Sequence, residues 1–310
     1  MSTPAKSPLY DQAAHHDADR RRQQIARRRA VALAGLAALF LTGLILIVGQ
    51  GSTRHVRRLA TTSELATKEQ LQRLAALAQK RAAAEGRAID RVLAYTPFVT
   101  SGGGRKREIA LTFDDGPGPY TPQVLHVLRQ FKVHATFFEV GFMERWFHTS
   151  TAKAIREGHT VGDHTESHPK MGRLPRAAQR AQIESQEQWL SKLGLPRPRL
   201  FRPPFGSFNP TTFSLLHNHR MLMVLWSADS QDYRRPGARA IVRNTLAGAK
   251  PGAIILMHDA GGARSQTVAA LPEIIRRLHR RHYKLVTVPQ LMLDDPPPRG
   301  QRLPHYLVGG

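Results

Sequence analysis

Seven short apolar runs, spaced along residues 105–295 with helical stretches between them, constrain this chain more than any other feature. The runs are 109–113, 135–140, 159–162, 200–202, 221–226, 253–257 and 285–288, each the length of a strand. Helical patterns fill intervening segments, as at 122–131, 175–192 and 238–249. Parallel neighbours need a long crossover, usually a helix, so this alternation predicts a parallel α/β arrangement. A barrel and an open sheet both satisfy it. In either, the loops that leave the C-terminal ends of the strands carry the chemistry. Polar clusters should therefore follow the apolar runs, and they do.

The flanking segments differ in kind. Residues 1–29 are polar and end in Arg20–Arg22 and Arg27–Arg29. From Ala30 to Gly49 no charge appears in twenty residues, enough for a helix to cross a bilayer core of about 30 Å. With the heavier positive block on its N-terminal side, residues 30–50 are expected to be an uncleaved single-pass anchor with a cytoplasmic N-terminus. That places the rest of the chain outside the cell membrane. Residues 51–104 read as a helical stalk and linker: Leu71, Leu74, Leu77 and Ala78 recur at helical spacing, and Pro97 and Gly102–Gly104 break the pattern. Residues 296–310 read as a flexible tail. The chain has no Cys, so a metal must be held by His and carboxylate. Its net charge of +23 is spread along its length, with no basic stripe interleaved with aromatics, and no nucleic-acid partner is expected.

Two clusters point to a metal. Thr112-Phe113-Asp114-Asp115-Gly116-Pro117 sets adjacent carboxylates at the end of an apolar run, where a cation or shared proton relieves their repulsion. His164-Thr165-Glu166-Ser167-His168-Pro169 carries two imidazoles four residues apart. Asp115, His164 and His168 together form a two-His, one-carboxylate set, which leaves coordination positions open for water and substrate. Such a metal acidifies a water and polarises a carbonyl, and Asp114 is free to act as general base. Three clusters follow in order: Phe201-Arg202-Pro203-Pro204-Phe205-Gly206, the segment from Trp226 to Tyr233, and Leu256-Met257-His258-Asp259. His134 and His159, at strand starts, read as packing residues.

In this order the five blocks resemble the polysaccharide deacetylases of carbohydrate esterase family 4, the NodB homology domain, over about residues 107–290. The resemblance implies a distorted (β/α) barrel with fewer than eight regular strands, seven by the apolar runs. It also implies hydrolysis of an N-acetyl amide on a hexosamine polymer, with a divalent metal, Zn2+ first and Co2+ or Ni2+ as substitutes. Position by position, it makes Asp114 the catalytic base, Arg202 its orienting partner, His258 the general acid and Asp232 the partner of that His. Asp115, His164 and His168 become the metal ligands. Trp226 and Leu256 become walls for the acetyl methyl group, and the backbone N–H of Phe205 a donor to the oxyanion. Tyr233 stands where the family has Trp, and Phe205 where Tyr is commoner; both keep an aromatic wall for the substrate. Asp163 replaces a frequent Asn and is expected to add negative charge near the metal. With the anchor, these expectations favour peptidoglycan N-acetylglucosamine, then chitin-type oligomers or exopolysaccharide, with an O-acetylxylan esterase or a non-catalytic wall-binding protein as alternatives.

Overall fold

The computed structural model describes residues 76–77, 79–192 and 194–303. The expected anchor at 30–50 and the segment 304–310 lie outside these. Among the described residues, no helix is long and apolar enough to cross a membrane. Contacts divide the chain into two compact units, Met1–Ala82 and Ala83–Gly310, and the second carries all that follows.

The helical residues 83–93 (α1) open this unit. In chain order there follow β1 (Phe98–Val99), β2 (Glu108–Gly116), α2 (Thr121–Gln130), β3 (Thr136–Glu139), α3 (Gly141–Arg156), β4 (Thr160–Asp163) and α4 (Arg176–Lys192). Then come β5 (Leu200–Phe201), α5 (Pro210–Asn218), β6 (Leu222–Val224), β7 (Ala228–Asp229), α6 (Ala238–Ala247), β8 (Ile254–His258), α7 (Ser265–Arg280), β9 (Lys284–Val286) and α8 (Val288–Asp294). The strands form one sheet in the order β1-β6-β5-β4-β3-β2-β8-β7, with β9 also paired to β2, and every strand pair is parallel. No ladder joins the terminal strands β1 and β7, so the sheet is a curled half-barrel. All seven expected strands are present, with β1 and β7 added.

The alternation of β2 explains the layering. Ile109, Leu111 and Phe113 point to one face and pack with Leu125 and Leu128 of α2, Ile241 of α6 and Leu271 and Ile274 of α7. Ala110 points to the other face, into a cluster with Phe138, Leu200, Leu222, Val224, Ile254 and Val286. With period 2, Thr112 and Asp114 share the face of Ala110, and Leu256 and His258 share that of Ile254. The register pairs Ala110 with Ile254, Thr112 with Leu256 and Asp114 with His258. The polar residues at the strand ends thus stand directly above an apolar floor.

That floor corrects two boundaries. Ala88, Ile89 and Val92 of α1 are buried in it beside Val288, Leu291 and Met292 of α8, and β1 pairs with β6. Residues 83–104 are therefore built into the second unit and are not stalk and linker. Their apolar side chains recur at helical spacing, which is also how an exposed amphipathic stalk would read. Gly102 and Gly103 are contacts, not spacers: a Cβ on Gly103 would stand 2.3 Å from Asp295 Oδ1. The described part of the tail is also held. Tyr95 donates to the carbonyl of Pro297 (2.7 Å), and Gln301 Oε1 accepts from the N–H of Thr100 (2.9 Å).

Candidate active site

The strand ends enclose a cleft of about 340 Å³ lined by Asp114, Asp115, His164, His168, Pro203, Phe205, Trp226, Asp229, Tyr233, Leu256 and His258. Of the eleven residues singled out in the sequence, nine line it. The other two, Arg202 and Asp232, lie buried immediately behind.

Arg202 is the largest fully buried side chain among the described residues. Its Nη1 donates to Asp114 Oδ1 and to Thr112 Oγ1, each at 2.7 Å, while Nε and Nη2 donate to the carbonyls of Val224 and Leu225. Its guanidinium lies 4.1 Å from the ring centre of Phe138. Room for that ring comes from Gly162 on the next strand, where a Cβ would meet Phe138 at 2.8 Å. Burial pulls the guanidinium below its ordinary value and the Asp114 carboxylate pushes back. The result is a fixed cation that turns Asp114 toward the cleft.

On the opposite wall, His258 is hydrogen-bonded through Nδ1 to Asp232 Oδ1 at 2.7 Å. Asp232 Oδ2 accepts from the N–H of His258 and from Thr267 Oγ1, both at 2.8 Å. Burial favours a neutral ring, but the charge and hydrogen bond of Asp232 prevail and raise the imidazole to about 9. Burial opposes ionisation of Asp232 as well, and its bonds with His258 hold it below the ordinary value. Nε2 is thereby left as the free end of a cationic ring.

Asp115, His164 and His168 each offer one donor atom, all within 4.8 Å of one another. Asp115 Oδ1 lies 3.6 Å from His164 Nε2 and 3.1 Å from His168 Nε2. His164 Nδ1 donates to the carbonyl of Arg202 at 2.7 Å, since a carbonyl can only accept. Its Nε2 then faces the carboxylate either as a second N–H or as a lone pair needing a cation between them. The second arrangement is how a metal-ligating imidazole is oriented by its other nitrogen. A Cβ on Gly261 would stand 2.1 Å from Asp115 Oδ2, so only glycine leaves room for this carboxylate. The residues present fit a divalent metal.

The backbone here departs from relaxed geometry. Asp115, Thr165, His168 and Phe205 all have φ between 60 and 71°, a region costly for residues with a Cβ and concentrated at functional sites. The two-His segment is therefore a folded loop, not a helical turn. Asp163 pins it by accepting from the N–H of Thr165 at 2.6 Å. Burial pushes the Asp163 carboxyl well above the usual range, which works against the expected addition of negative charge.

Four contributors carried no sequence signal of their own. Arg264 is buried with Nη2 3.9 Å from Asp115 Oδ2, and is held by the carbonyls of Ala260 and Gly261. Thr267 steadies Asp232. Asp259, beneath Gly116, accepts from Thr121 Oγ1 at 2.5 Å, and burial raises it to about 7. The first two lie beyond the last motif and Thr121 starts α2, where nothing in their spacing marks a role. Asp259 is the last residue of a cluster read for its His.

A carboxylate clamped by a buried cation, an imidazole paired to a carboxylate opposite and a three-donor set that fits a metal suit hydrolysis of an acyl–nitrogen or acyl–oxygen bond. The sequence profile of the family described as Polysaccharide deacetylase matches residues 101–224. A peptidoglycan-N-acetylglucosamine deacetylase from Bacillus cereus is 41% identical over 187 residues, 59% of this chain and 87% of that protein. A chitooligosaccharide deacetylase from Sinorhizobium fredii is 34% identical over 211 residues, 64% of this chain and 98% of that protein. Among solved structures, a peptidoglycan N-acetylglucosamine deacetylase superposes with TM-score 0.62 at 33% identity, covering 68% of this chain and 98% of its own. A family 4 pseudoenzyme from Bacillus anthracis gives 0.59 at 27% identity, covering 64% and 69%. The chain belongs to the polysaccharide deacetylases of carbohydrate esterase family 4, and it is an enzyme of that class.

Proposed function

We propose that this enzyme removes N-acetyl groups from hexosamine units of peptidoglycan, acting outside the cell membrane on N-acetylglucosamine with the help of a divalent metal. The observation that carries this reading is the pairing across β2 and β8. Asp114, held by Arg202, and His258, held by Asp232, come from register partners and face one cleft.

Asp114 takes a proton from water as the water oxygen bonds to the acetyl carbon. Trp226 and Leu256 give the acetyl methyl an apolar wall, which orients the carbonyl. The main-chain N–H of Phe205 donates to the oxygen as charge develops on it. His258 delivers its Nε2 proton to the amide nitrogen, the C–N bond breaks, and acetate and a free amine leave. Asp115, His164 and His168 would hold the metal, Zn2+ by this donor set with Co2+ or Ni2+ as substitutes, and it would supply Lewis acidity for polarising a carbonyl. A location at the outer face of the cell membrane is supported by the uncharged run at 30–49 with Arg blocks before it. Peptidoglycan is favoured by the similarity to deacetylases of that name. The same proton transfers serve an O-acetyl ester, and the fold also serves a pseudoenzyme.

The test is acetate release by the full-length chain from peptidoglycan, chitin oligomers and acetylxylan, with and without a chelator. Release from peptidoglycan that the chelator abolishes and added Zn2+ restores is expected. Release from acetylxylan alone, or none from any of the three, would overturn the proposal.

A further inference from the structure

Two exposed cations flank the cleft, and each lies over an aromatic ring of its wall. On the β5 side, Lys170 Nζ is 5.8 Å from the ring centre of Phe205, which is 61% exposed. On the β7 side, the Arg234 guanidinium is 5.7 Å from the ring of Tyr233, which is 41% exposed. Large exposed aromatics at a cleft mouth offer flat apolar faces, the surface on which a sugar ring packs. The added cation changes what such a face selects. Neither Lys170 nor Arg234 has an acidic partner among the described residues, whereas Arg199 and the buried Arg202 are each paired to an aspartate. Arg145 is likewise tied to Glu166. Arg173 and Arg235, close in sequence to Lys170 and Arg234, are exposed as well. Besides Asp114 and Asp115, the acid lining the cleft is Asp229, which accepts from the N–H of Gln231 and is pushed up by burial.

An unpaired cation on each wall, next to a sugar-sized aromatic face, fits a polymer with anionic groups on the sugars either side of the reacting unit. We propose that Lys170 and Arg234 select an acidic glycan, in which the N-acetylhexosamine under attack is flanked by carboxylate-bearing sugars, over a neutral N-acetylhexosamine polymer. This rests on the hexosamine-polymer reading above and names the property of the substrate that the rim reads. Lys170 and Arg234 lie outside the proton-transfer machinery, so they act on binding and encounter. Rim charges of this kind change association and its salt dependence more than the chemical step. Their separation from solvent is slight, so salt screens them within a Debye length of about 8 Å at physiological strength.

Two oligomers of equal length separate the outcomes: a neutral N-acetylglucosamine oligomer, and one in which alternate sugars carry a lactyl carboxylate. The wild-type chain is expected to show a higher kcat/KM on the acidic oligomer, a preference that fades with added salt. In Lys170→Glu/Arg234→Glu the acidic-to-neutral ratio should fall by about tenfold or more, chiefly through KM. Arg156→Glu, the same charge reversal made once, on an exposed residue at the far end of α3, should leave the ratio in place. Binding of both oligomers to Asp114→Asn reads the rim without turnover. If binding favours the acidic oligomer and neither releases acetate in the wild type, the deacetylase substrate reading fails and the rim proposal stands. If acetate is released from both but the ratio is the same in wild type and rim variant, the rim proposal is overturned.

Discussion

At the residue scale, the chemistry of this site is a contest between burial and a fixed partner, and His258 shows which wins. A buried imidazole loses its proton readily, yet the ion pair with Asp232 raises it to about 9. A raised value means that the cation, and the stability it shares with Asp232, is complete below the ordinary value of about 6.5 and is lost as pH rises through about 9. Deacetylation should therefore persist into the alkaline range before its basic limb appears. Asp232→Asn removes the charge that holds the proton. Its kcat should fall by about 100-fold at pH 8, and the basic limb of the profile should move toward neutrality. A pH–rate profile of kcat for both proteins checks this; an unmoved limb would separate His258 from the proton transfer. The residues that carry this contest were legible because each sits in a motif at a strand end. Arg264, Thr267 and Thr121 were not, because a side chain that steadies another from a helix is specified by packing and leaves no local pattern. Asp163 was legible as an acid, but its charge state depends on burial, which only the fold supplies.

At the scale of elements, the sheet is held together at its mouth by one side chain. Arg202 leaves β5, a strand of two residues, and bonds to β2 through Thr112 and Asp114 and to the end of β6 through the carbonyls of Val224 and Leu225. Arg202→Ala leaves a buried carboxylate and two buried carbonyls without their donor, a loss of about 3–5 kcal/mol. Urea unfolding should show it, and lost activity without lost stability would assign Arg202 to catalysis alone. The floor of the half-barrel makes the same kind of demand. Ile89→Ala, on α1, should cost about 2–5 kcal/mol, as for a core residue, where an exposed stalk position would change little. A chain starting at 83 should accordingly unfold at higher urea than one starting at 105. Seven strands were legible from apolar runs of four or more residues or from a run ending in a motif. β1 and β7, two residues each, carry too little pattern, and they exist because neighbours offer edges to pair with. The helical residues of α1 were legible as helix, but which surface they cover is a tertiary fact.

At the scale of the whole molecule, two features could bring this chain to a membrane, and they respond differently to salt. The first is a net charge of +23, which attracts any anionic surface over long range. The second is the uncharged run from Ala30 to Gly49, whose transfer into a bilayer is a hydrophobic effect. Raising salt to about 1 M shrinks the Debye length to about 3 Å and removes the first attraction while leaving the second. The full-length chain should therefore sediment with membranes and stay there through a high-salt wash. A chain lacking residues 1–50 keeps most of the positive charge, since Arg20–Arg22 and Arg27–Arg29 are a small part of 46 Lys and Arg. It should remain in the soluble fraction at high salt and still release acetate, because the catalytic unit begins at Ala83. Release of the full-length chain by salt alone would assign its membrane contact to charge, and the run at 30–49 would then need another role.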